Sequence, residues 1–148
     1  MIRILSIVCA LALTSGAVAA PAKIHKLVGT TIASNGVVTA VPAGTTVIAA
    51  QSIKCAAAAG CIFQVSAMVQ AISNGSAGQW QICVLVDGSQ AGPGCPVQGI
   101  VPTSNYVVGN LRANAFVATG THSVQTEIIM PSNGNYAAWE TDVAVYKN

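Results

Sequence analysis

Four stretches of this chain alternate apolar and polar residues one for one, and that pattern confines the backbone to strands with one buried face. Phe63, Val65, Ala67, Val69 and Ala71 fall on one side, against Gln64, Ser66 and Gln70 on the other. Trp80, Ile82, Val84 and Val86 oppose Gln79 and Gln81. His122, Val124, Thr126, Ile128 and Met130 form a third row, and Trp139, Val143 and Val145 a fourth, opposite Glu140 and Asp142. Segments 24–31, 37–41, 45–51, 97–101 and 106–117 bring the expectation to roughly eight or nine strands. No stretch carries a helical period. So many short strands in one domain point to an all-β, antiparallel two-sheet β-sandwich, with a jelly roll as the specific expectation.

Turn signals separate the strands. Ser-Asn-Gly occurs at 34–36, 73–75 and 132–134. Asn-Gly readily supplies the positive φ angles of a tight hairpin, and Asp87-Gly88 can do the same. The flanks of the three copies differ, so they do not mark an internal repeat.

The N-terminus reads as an export signal. Arg3 is followed by an apolar run over 4–13, shorter than the roughly 20 residues a membrane helix needs. Ala17-Val18-Ala19 is a small-x-small cleavage pattern. The expected organisation is a signal peptide over 1–19 and a single domain over 20–148, with no membrane span in the mature protein. Cys9 leaves with the signal. Residues 20–148 hold five cations, Lys23, Lys26, Lys54, Arg112 and Lys147, against four anions, Asp87, Glu127, Glu140 and Asp142. No basic stripe exists to neutralise phosphates, which argues against nucleic acid as a partner. Charged residues make up 7% of the chain, so Ser, Thr, Asn, Gln and Gly must form the surface.

Four cysteines remain in an exported chain, where thiols are held as disulfides. Five residues separate Cys55 from Cys61, and eleven separate Cys83 from Cys95. Zinc sites use tighter spacing, often with histidines, and neither His25 nor His122 falls into register with these cysteines. Four cysteines allow three pairings. The favoured one is Cys55–Cys61 with Cys83–Cys95, since each closes a loop of small residues.

The stretch Gly120-Thr121-His122-Ser123-Val124-Gln125 leads into a strand, an Asn-Gly turn and a closing strand from Trp139 to Tyr146. This pattern resembles the end of small secreted bacterial β-sandwich domains of uncharacterised function. It is also similar to the trimeric jelly rolls related to tumour necrosis factor. The resemblance covers about the last third of the chain; it implies a fold and lends no catalytic residue.

Acidic residues are the scarcest functional groups, and strand parity draws three together. If Ser132-Asn133-Gly134 closes a hairpin, Glu127 lies across from Glu140 and Asp142 on one outward face, with Tyr136 and Tyr146 beside them. Lys54, Arg112 or Lys147 could offset the charge. Such a patch offers oxygen ligands for calcium, or the two carboxylates of a glycoside hydrolase, or only a solvated face. No cofactor is otherwise implied. His122 alternates with Val124 and Ile128, which places it partly buried near the start of its strand. His25 sits between Lys23 and Lys26 and should be exposed, and Trp80 and Trp139 read as core aromatics. No Gly-x-Ser-x-Gly elbow and no phosphate-binding glycine loop is present. The expectation is a secreted or periplasmic, non-enzymatic module that binds a cell-surface glycan, a protein or copies of itself. A small secreted glycan hydrolase using the surface carboxylates and a structural envelope protein are the alternatives.

Overall fold

The computed structural model describes residues 25–147, so the expected signal peptide lies outside the described residues. Ten strands follow one another: β1 (Lys26–Asn35), β2 (Thr39–Val41), β3 (Gly44–Cys55), β4 (Cys61–Ser73), β5 (Gly78–Val86), β6 (Ser89–Gln90), β7 (Val97–Val101), β8 (Val107–Val117), β9 (Gly120–Met130) and β10 (Gly134–Lys147). They form two antiparallel five-stranded sheets. The first runs β1-β10-β4-β8, with β2 beside β10; the second runs β3-β9-β5, with β6 and β7 sharing the far edge of β5. Ten strands replace the expected eight or nine; the addition is β6, two residues that return from the Asp87-Gly88 turn to pair with β5. β1 and β2 both pair with β10, and β6 and β7 both pair with β5.

The pairing is nested: β1 with β10, β3 with β9, β4 with β8, β5 with β7. A long antiparallel ribbon rolled up on itself gives this order, which is the jelly roll. Its core lies between the sheets. The alternating rows meet there, with Phe63, Val65, Val69, Ile82, Val84, Ile128 and Val143 fully buried. Trp80 is buried as well, and Gly109 makes room for it: a Cβ at 109 would stand 2.7 Å from the indole ring. Thr126 and Thr141 are buried within the core and share a hydrogen bond of 2.9 Å across the two sheets.

Both expected disulfides form. Cys55–Cys61 joins the end of β3 to the start of β4, linking one sheet to the other. Cys83–Cys95 ties the loop after β6 against β5.

The turns follow expectation at one place and depart from it at three. Asp87 (φ 52°) and Gly88 (φ 77°) both adopt left-handed backbone and close the β5–β6 hairpin. None of the three Ser-Asn-Gly copies has a positive φ at its Asn or Gly, and none closes a hairpin. The copy at 34–36 bends the edge between β1 and β2, where the Asn35 side chain accepts a hydrogen bond from the Val37 amide (2.9 Å). The other two carry the chain from one sheet to the other, β4 to β5 and β9 to β10. These two turns meet: the Asn74 amide donates to the Asn133 carbonyl at 2.8 Å, and the Ser73 and Ser132 hydroxyls bond.

Candidate functional site

The 132–134 crossover decides the fate of the acidic trio. β9 and β10 belong to different sheets, so Glu127 lies on the outer face of one sheet while Glu140 and Asp142 lie on the outer face of the other. The expected three-carboxylate patch is not assembled. Its premise, a hairpin at Ser132-Asn133-Gly134, fails because the chain changes sheets there. Among the described residues no group of three or more His, Cys, Asp or Glu side chains could hold a metal ion. Tyr136 is corrected too. A bulge between Tyr136 and Ala138 shifts the parity by one, and Tyr136 turns into the core.

Glu140 and Asp142 remain neighbours on β10. With Ser66, Met68, Asn110 and Arg112 they line a shallow groove of about 400 Å³. Asp142 and Arg112 lie in one cross-strand row with Ser66 between them. Two strand spacings, about 10 Å, separate their backbones. The Asp142 Oδ1 atom is sheltered and has no hydrogen-bond partner.

A second site was only half legible. His122 is partly buried near the start of β9, as expected, and its ring stands edge-on to Phe63 at 5.7 Å. Its partner is Asp87. The pairing of β5 with β9 sets Val86 opposite Val124, and the Asp87 amide donates to the Ser123 carbonyl at 2.9 Å. That places the carboxylate beside the ring. His122 Nδ1 lies 2.7 Å from Asp87 Oδ2, and Asp87 Oδ1 accepts from the Ser123 amide at 2.9 Å. His122 Nε2 lies 2.9 Å from the Ala118 carbonyl in the β8–β9 connection.

Both ring nitrogens therefore face acceptors, and only the doubly protonated imidazolium donates to both. The hydrogen bond to Asp87 raises the His122 pKa above its ordinary value, helped by the Ala118 carbonyl and opposed by burial. The same bond lowers the Asp87 pKa, together with the Ser123 amide. This is the one ion pair among the described residues. It latches the β5–β6 turn to the β8–β9 connection.

The latch closes one end of a cleft of about 520 Å³ where the β6 edge faces the β8 edge. Asp87, Ser89, Gln90, Asn114, Phe116 and His122 give it its chemistry. One wall is strapped to the other where Gly92 and Asn114 exchange backbone hydrogen bonds of 3.2 and 2.9 Å. Phe116 is 64% exposed, yet its ring rests on Gly60 of the disulfide loop. Gly60 has φ +86°, and a Cβ there would come within 2.5 Å of the Val117 carbonyl and 2.9 Å of the Phe116 ring. Nothing in the sequence pairs Asp87 with His122; the one hint is how few charges the chain has, with a single histidine on a buried-face parity. Phe116, on the polar parity of β8, was the legible clue to an exposed aromatic.

No protein-family model matches the chain, and no curated protein is similar to it in sequence.

Proposed function

We propose that this chain is an exported, non-enzymatic binding module acting through the cleft between the β6 and β8 edges. The supporting observation is the state of His122. In a general-base or nucleophile-base arrangement one imidazole nitrogen must be free to take a proton from the reacting group. Here one nitrogen holds Asp87 and the other a backbone carbonyl, so the ring shapes the cleft instead of reacting in it. What remains is hydroxyl, amide and aromatic surface on rigidly held walls, which suits recognition. Export rests on the N-terminal signal and on two disulfides, which belong to oxidising compartments.

The exported protein should be retained by isolated cell envelopes of the organism that makes it. Gln90→Ala and Asn114→Ala should each lower that retention severalfold without shifting the melting temperature. Equal retention by both variants would remove the cleft from the account.

A small glycan hydrolase is the second reading, supported by the unpartnered Asp142 oxygen beside Glu140 in the Arg112 groove. It requires products to accumulate with envelope polysaccharide and to disappear with Glu140→Gln or Asp142→Asn.

A further inference from the structure

The outer face of the first sheet carries its side chains in cross-strand rows. One row runs Leu27, Tyr146, Ile62, Phe116 and the next runs Thr30, Ala144, Gln64, Asn114. An apolar row with two aromatic rings thus lies against a row containing two amides. His25, Ile62, Gln64, Asn114 and Tyr146 line a recess of about 330 Å³, and Asn114 also lines the cleft at His122. The two hollows thus share a lining residue on β8. The Tyr146 hydroxyl donates to Gln64 Oε1 at 3.4 Å, so ring and amide are neighbours.

From this arrangement we infer that the cleft and the recess form one extended site for a neutral oligosaccharide chain. The inference rests on the preceding reading that the cleft binds. Three features select the ligand. The first is charge. The ionisable lining groups are Asp87 and His122, which neutralise each other, and His25, which contacts the Lys147 carbonyl (3.3 Å). Within this lining an anionic or cationic ligand finds no free counter-charge. The second is shape. Each hollow is shallow and in the lower half of the roughly 300–1,000 Å³ of ligand sites, with no deep apolar hole to seat the side-chain anchor of a protein partner. The third is pattern. The C–H face of a pyranose ring stacks on an aromatic ring, and planar amides both donate to and accept from its hydroxyls. Tyr146 and Phe116 stand two strands apart, about 10 Å, with Ile62 between them. That spacing lets two rings stack on alternate sugars of one extended chain, with Gln64 and Asn114 along its hydroxyl edge.

Binding of the exported protein to an array carrying neutral and charged glycans tests the inference. Binding should be confined to neutral chains, and affinity for the strongest of them should rise from the disaccharide to the tetrasaccharide. Phe116→Ala and Tyr146→Ala should each lower that affinity at least tenfold. Tyr146→Phe, which keeps the ring, should stay within about twofold, and this separates stacking from loss of fold. Binding to no neutral glycan, or to acidic glycans alone, overturns the ligand class; if Gln90→Ala still lowers envelope retention, the cleft keeps its binding role. Neutral-glycan binding that falls with Phe116→Ala but not with Tyr146→Ala overturns the extended site alone.

Discussion

His122 and Asp87 show how two residues 35 positions apart become one device. The raised histidine pKa means that the native state holds its proton more tightly than the unfolded chain does. That contribution is complete below the ordinary imidazole value of about 6.5 and is lost as pH rises through the raised value. The lowered aspartate pKa acts in the opposite sense. Its contribution is present above the ordinary carboxylate value of about 4 and is lost as pH falls through the lowered one. Stability should therefore plateau between about pH 4 and 6.5 and decline on the alkaline side as the imidazolium is lost. Urea midpoints across pH 5 to 9 should show this slope in the parent and a flatter profile in Asp87→Asn. Identical slopes in the two proteins would mean that the latch carries no linkage. At this scale the sequence was readable by parity: the row from Phe63 to Ala71 is buried as the alternation requires. Parity failed at Tyr136, where one extra residue in the strand flips the side chain and leaves no mark in the composition.

At the scale of elements, strands were legible and their partners were not. An Asn-Gly pair favours a hairpin only where the following strand returns beside the first. At 73–75 and 132–134 the hydrophobic rows of both flanking strands must face one core from opposite sheets, so packing overrides the local preference. Asp87-Gly88 kept its hairpin because β6 needs only two residues on the same edge. The separation of Glu127 from Glu140 has a direct consequence. Residues on opposite outer faces share no partners, so their effects should add to within about 0.5 kcal/mol. A double-mutant cycle of Glu127→Gln and Glu140→Gln, read by urea unfolding, should give a coupling energy near zero. A repulsive coupling above about 1 kcal/mol, the upper range for cross-strand pairs, would place them together and contradict the sheet order.

The whole molecule is a rolled ribbon whose sheets are joined by packing and by Cys55–Cys61. The two disulfides close loops with separations of 6 and 12 residues. Chain entropy assigns such loops about 2–3 kcal/mol each. Reduction should lower the melting temperature while leaving a cooperative transition, because the core between the sheets does not depend on either bridge. Loss of the transition on reduction would show that the bridges, and not the core, hold the fold. Reduction should also weaken ligand binding, since the 55–61 loop supports Phe116 and Cys83–Cys95 holds the opposite wall. The fold class was open to reading because four long stretches repeat the same period and turn signals separate them. The cleft was hidden because it arises only where the edges of two sheets meet. Its role is tested most directly by backbone amide chemical-shift mapping of the purified protein during titration with solubilised envelope polysaccharide. The account predicts shifts at Gln90, Asn114 and Phe116 while the polysaccharide signals stay unchanged over days. Shifts centred on Glu140 and Asp142, with new reducing-end signals growing in, would contradict it and establish a hydrolase.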